Sequence, residues 1–146
     1  MTHETLHWEA TLAATGHRVT RQRTQILDAV CSGGAAGHRT FADIYADVLK
    51  SDPSIDRSTV YRALRLFVDL DILVVADTSE SEQRYEVRKP TPHHHLVCRQ
   101  CGGEQEISDA TLQAMYDEVR RQHQFQVETD HLMLHGTCAA CLANAL

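Results

Sequence analysis

Four of the five cysteines in this chain fall into two C-x-x-C pairs, Cys98/Cys101 and Cys138/Cys141. That pattern limits what can form around it. Two cysteines separated by two residues reach one ion from a single tight turn, and two such pairs supply the four thiolates of a closed tetrahedral zinc site. One pair at each end of a segment would tie its strands together. Disulfides or surface thiols are the other readings of the same pairs. Residues 1–15 hold acids and a tryptophan rather than a basic stretch followed by an apolar one, and no apolar run spans about 18 residues. A cytoplasmic location is therefore expected, where paired cysteines bind metal more often than they bond to each other. Cys31 stands apart from the pairs. Its place beside Leu27 and Val30 predicts a buried, small apolar residue.

Upstream of the first pair the pattern is helical. Leu6, Leu12 and Ala13 suggest a first helix over 3–15, which Gly16 can end. Thr20 is a good N-cap for a second helix carrying Ile26, Leu27 and Val30. A glycine-rich loop follows over 32–37. Thr40, with Asp43 three residues later, opens a third helix whose buried face is Phe41, Ile44, Tyr45, Val48 and Leu49. Asp56 caps a fourth helix over 57–70, with Val60, Leu64, Phe67 and Val68 inward. Strands over 72–76 and 83–87 flank a polar turn. Helices followed by a two-stranded hairpin make a winged helix-turn-helix, with the fourth helix in the major groove. Residues 88–92, with Pro90 and Pro92, read as a stiff linker. Beyond it, short strands flank the first cysteine pair, a helix runs from Ser108 or Asp109 to about 122, and a last strand covers 126–135. The fold class expected is α+β: a winged-helix domain over 1–87 and a small α/β dimerisation domain over 93–146. The second domain has too few large apolar residues for a core of its own, so it needs its metal and a second copy of the chain.

The formal charge of −6 argues against a general polyanion binder. The arginines are nonetheless concentrated near predicted helix starts and on one helix face. Tyr61 is placed for a thymine-methyl or sugar contact, and Arg62 and Arg65 for base edges or phosphates. Arg57, Ser58 and Thr59 lie at the start of the same helix, and Arg18, Thr20, Arg21 and Arg23 could hold the DNA backbone. No substrate-pocket motif stands out, and no enzymatic activity or small-molecule substrate is expected.

His93, His94 and His95 run directly into the first cysteine pair. In an extended segment His93 and His95 share one face and His94 takes the other. Two imidazoles on one face can share an ion with groups nearby. Glu86 and Glu106 are the nearest acidic candidates, and His38 is the best placed histidine of the N-terminal half. All of these donors are nitrogen or oxygen, which suits Fe(2+) or Mn(2+) and also accommodates Zn(2+).

These residues together resemble the ferric uptake regulator family of metal-dependent repressors. The resemblance rests on Gly16-His17-Arg18-Val19-Thr20 with Arg23, Ile26 and Leu27, and on His38-Arg39-Thr40 with Ile44 and Tyr45. It rests also on Ser58-Thr59-Val60-Tyr61-Arg62 with Leu64, on Arg84-Tyr85-Glu86, and on His93 to Gly102 followed by Glu106. It implies a homodimer on a palindromic double-stranded operator. It implies a structural zinc held by Cys98, Cys101, Cys138 and Cys141, and a regulatory metal held by His38, Glu86, His93, His95 and Glu106. Some relatives carry a third site; the positions here are His94, Gln113 and Asp130, with His131 one residue late. The function implied is metal-controlled repression of metal-homeostasis genes. A peroxide-sensing regulator of the same family, and a zinc-dependent hydrolase using His93, His95 and Glu106, are the alternatives.

Overall fold

Each of the first three helices after Gly16 begins where a side chain caps it. Thr20 accepts the Arg23 N–H at 3.3 Å and opens α2 (Arg21–Cys31). Thr40 opens α3 (Phe41–Ser51) through a full capping box. Its hydroxyl accepts the Asp43 N–H at 3.2 Å, and the Asp43 carboxylate accepts the Thr40 N–H at 3.4 Å. Asp56 accepts the Thr59 N–H at 2.6 Å and opens α4 (Arg57–Asp69). The preceding helix, α1 (His3–Ala14), ends on Gly16, whose φ of +77° lets the His17 N–H reach back to the Leu12 carbonyl at 2.8 Å. α4 ends in the same motif with Asp71 (φ +61°) at the left-handed position, and the Asp71 carboxylate is ion-paired with Arg88, Oδ1 to Nε 2.7 Å. The computed structural model describes residues 3–33, 38–77, 82–129 and 131–145, and the chain divides into two units, Met1–Arg88 and Lys89–Leu146.

The first unit has a continuous apolar core. Leu12 of α1, Ile26 and Leu27 of α2, Ile44 and Val48 of α3, and Val60, Leu64 and Phe67 of α4 are all buried. Trp8 lays its ring edge-on to Phe67, with centroids 6.4 Å apart. Phe67→Ala removes the centre of this cluster, and the expected loss is about 3–5 kcal/mol. Urea unfolding of the first unit's helices checks it: the midpoint should fall with little change in slope. Cys31 is a correction. It is exposed, because α2 ends on it and the helix has by then run past the core, which closes on Val30.

The expected hairpin forms, with β3 (Gln83–Val87) over the residues expected and β2 (Leu73–Asp77) one residue later than 72–76. It gains a third strand, β1 (Arg39–Thr40), giving an antiparallel sheet in the order β1-β3-β2. Arg39 lies opposite Tyr85 and Thr40 opposite Arg84. The winged helix-turn-helix is thus α3, the turn at 52–56, α4 and this sheet.

The second unit is a sheet in the order β5-β4-β6, made of β4 (His93–Cys98), β5 (Glu104–Ser108) and β6 (Met133–Gly136), with α5 (Asp109–His123) after β5. β5 runs antiparallel to β4 and β6 parallel to it. The last strand is shorter than the 126–135 expected. Its ladder begins at His95 opposite Met133, and a parallel continuation upstream would need N–H groups from the segment holding Pro90 and Pro92, which have none. A short helix, α6 (Ala139–Asn144), starts on Cys138 and was not foreseen. Among the described apolar residues of this unit only Cys98, Leu112 and Tyr116 are buried, while Leu96, Met115, Phe125 and Leu142 are exposed.

Candidate metal centres and nucleic-acid face

The first cysteine pair sits on a knuckle at the end of β4. The Gly102 N–H returns to the Cys98 carbonyl at 2.9 Å, with Gly102 at φ +71°, a conformation that a side chain would oppose. The second pair spans one turn at the start of α6, which turns Cys138 and Cys141 to the same side. Parallel pairing of β4 with β6 brings the two ends together. The four sulfurs lie within 4.8 Å of one another, and Cys101 Sγ is 3.8 Å from Cys138 Sγ. Sulfurs about 2.3 Å from a tetrahedral zinc lie about 3.8 Å apart, so the cluster fits the ion. Its electrostatics fit too. Backbone N–H groups of Cys101 and Cys138 hold the Cys98 thiol down to about 6, while the adjacent Cys138 sulfur and burial push Cys141 up to about 12. One thiolate is favoured and a full set repel one another; a dication at the centre offsets that repulsion.

The histidines divide between two roles. In the first unit, β1 continues the ladder that sets His38 beside Glu86. His38 Nε2 is 3.3 Å from Glu86 Oε2, and both side chains are almost fully buried. The two-residue strand that sequence patterning missed is what makes this pair. In the second unit, β4 carries His93 and His95 on one face. Their rings contact each other and that of His131, with centroids 5.0 to 5.2 Å apart. Ligand atoms of His95 and His131 come within 4.8 Å of each other, as do those of His93 and Glu106. Glu106 faces His95 across the β4–β5 ladder and is ion-paired with Lys89.

His94 points the other way, and protein groups engage both its nitrogens. The Leu132 N–H donates to Nδ1 at 3.0 Å, which leaves the proton on Nε2 to face Asp109 Oδ1 at 3.0 Å and the Tyr116 hydroxyl at 3.1 Å. Burial and the Asp109 carboxylate raise the Tyr116 hydroxyl above its ordinary value. The third grouping does not assemble among the described residues. His131 lies with His93 and His95, on the opposite face from His94, because β6 runs parallel to β4 and keeps residues of matching register on one face. Gln113 instead donates to Asp117 at 3.1 Å on α5. Asp130 lies outside the described residues.

A scan against known families matches the model of the ferric uptake regulator family over residues 14–135. The chain belongs to the ferric uptake regulator family. That is a family of metal-responsive, DNA-binding transcriptional regulators. The ferric uptake regulation protein of Bacillus subtilis (strain 168) is 29% identical over 133 residues, covering 89% of each chain. The crystal structure of the Vibrio cholerae ferric uptake regulator matches with a TM-score of 0.72 at 28% identity, covering 89% of this chain and 98% of that one. A zinc-bound manganese uptake regulator matches with 0.70 at 28% identity, covering 89% and 97%.

In this member of the ferric uptake regulator family, α4 buries one face in the core and exposes the other. Tyr61 is 52% exposed, and Arg62 and Arg65 are exposed beside it. A cleft of about 630 Å³ on one flank is lined by Phe41, Arg57, Tyr61, Arg62 and Tyr85. A second, of about 490 Å³, is lined by His17, Arg18, Thr20, Arg23 and Arg62. Arg62 lines both. Several predicted contacts already have work inside the protein. The Arg57 guanidinium lies 4.6 Å from the Phe41 ring centre, Arg23 donates to the Arg18 carbonyl at 2.5 Å, and the Thr20 hydroxyl caps α2. No helix among the described residues is long and apolar enough to cross a membrane.

Proposed function

We propose that this chain is a homodimeric repressor whose grip on a palindromic operator is set by a divalent ion. Its ligands are His38 and Glu86 of the first unit with His93, His95 and Glu106 of the second. The observation that carries this reading is the buried His38–Glu86 pair on the sheet of a winged helix whose α4 exposes Tyr61, Arg62 and Arg65. A second unit offering buried His93 and His95 supports it. The Vibrio cholerae relative is described as undergoing structural rearrangement of its DNA-binding domains, which fits a protein whose two units change relation.

When bound, the ion supplies a fixed link and positive charge. The rest is done by the chain. Tyr61 and Arg62 would read base edges, Arg65 and Arg18 would hold phosphates, and the linker at 88–92 would let the units move when the link is absent. Leu96, Met115, Phe125 and Leu142 are the exposed apolar side chains from which a dimer interface of the second unit can be built. Cys98, Cys101, Cys138 and Cys141 would hold structural zinc. The reading is regulatory and includes no catalytic step.

The test is operator binding by fluorescence anisotropy with iron(II), manganese(II), zinc(II) and nickel(II) supplied one at a time, after loosely held metal is removed. One or more ions should raise affinity strongly. Equal affinity with and without every ion would sink the proposal.

A further inference from the structure

The regulatory site has one more imidazole at hand than its sequence pattern provides. We propose that His131 is a ligand of the regulatory ion, acting beside His95, and that it tunes the site to zinc over manganese. This rests on the regulatory-site reading above.

The register of the second sheet explains the placement. In a parallel pair, residues of matching register share a face, and His95 lies opposite Met133. Two residues upstream of each of these, His93 and His131 therefore fall on that same face. Two backbone contacts hold the segment there: the His95 N–H donates to the Leu132 carbonyl at 2.8 Å, and the His131 N–H donates to the Thr129 hydroxyl at 3.3 Å. Three rings then form a near-equilateral triangle with sides of 5.1, 5.2 and 5.0 Å. Imidazoles about 2.1 Å from one tetrahedral ion have their ring centres about 5 Å apart. The nitrogens of His95 and His131 are within 4.8 Å of one another, inside the reach of a shared ion.

The chemistry follows from the donor set. Without His131 the proposed ligands are three imidazoles and two carboxylates. With it, four of the six candidate donors are imidazole, so a four-coordinate ion drawing on them is held mainly by nitrogen. Carboxylate and water favour manganese, imidazole favours later ions, and affinity for nitrogen donors rises well above manganese by the time zinc is reached. Zinc also accepts four-coordinate geometry without loss.

The test uses the full-length protein with its cysteine site loaded with zinc. His131→Asn keeps size and polarity but removes the imidazole, and His131→Ala serves as the second variant. Cobalt(II) is titrated as a spectroscopic probe, and zinc and manganese affinities are measured by competition with a chelating dye. Retained cysteine-bound zinc shows that each variant is folded. Both variants should lose the intense visible absorption of tetrahedral cobalt and bind the second zinc tenfold or more weakly, with manganese affinity changed less than threefold. A second zinc held within tenfold of the parent, or an unchanged cobalt spectrum, overturns the role of His131. His93→Asn separates the two readings. If it abolishes the second site while His131→Asn does not, only the role of His131 fails; if neither variant affects the second site, the regulatory-site reading fails with it.

Discussion

Cys98→Ser should strip the second unit of its zinc and of its folded state while leaving the first unit intact. The reasoning starts from how little else holds that unit together. Leu112 and Tyr116 are its buried apolar residues besides Cys98 among those described, against a core of sixteen buried residues in the first unit. A small unit with so little apolar burial relies on a structural ion, and the free energy of binding the ion becomes free energy of folding. Cys98 is the critical member. Its sulfur accepts the Cys138 N–H at 3.3 Å, linking the two knuckles even before an ion is considered, and its thiol is the one held low by backbone donors. Serine preserves the shape but not an ionised sulfur ligand. Elemental analysis should find one zinc fewer per chain. Hydrogen exchange should show lost protection in β4 and α5 and retained protection in α2 and α4. The proposed dimer should dissociate on sedimentation. Full protection of α5 in a zinc-free variant would mean that the cysteines are not structural.

What could be read in advance is what is local. Thr20, Thr40 and Asp56 announced three helices because a cap is decided within four residues of chain. The cysteine pairs announced their cluster because two knuckle turns need only their own spacing. Asp71 shows the limit of such rules: the motif that usually takes glycine takes an aspartate here, held by Arg88. The non-local features were invisible. Arg39 and Thr40 have no strand pattern, and they become β1 only because β3 lies alongside; without that pairing nothing sets His38 against Glu86. The same holds for His131. Counting along the chain set it beside the position expected for a third site, whereas the parallel register of β6 turns it to the face of His93 and His95. Cys31 failed for a different reason. Helical periodicity says which side a residue is on, but not whether the core extends that far along the helix.

His38→Ala should leave a folded, zinc-containing protein whose affinity for its operator no longer responds to metal. His38 is the only imidazole that the proposed site draws from the first unit, and it shares its buried position there with Glu86. If the metal-free chain is competent in about 1% of molecules and the metal-bound chain in most, the ion raises apparent affinity about a hundredfold. Removing His38 should hold the protein at the lower value at every metal concentration. Glu86→Gln makes a sharper companion. It keeps the shape and hydrogen-bonding capacity of the buried pair but removes the charge that favours a cation, so it should shift the metal titration to higher concentration and leave its plateau in place. Arg62→Ala should behave in the opposite way. Arg62 lines both clefts beside α4 and touches neither metal centre, so its loss should weaken binding by about 1–3 kcal/mol with or without metal and preserve the metal-dependent ratio. Anisotropy titrations of the three variants against metal and DNA together separate the switch from the reading head. If His38→Ala retains the parent's metal response, the switch does not run through the first unit and the proposed mechanism is wrong.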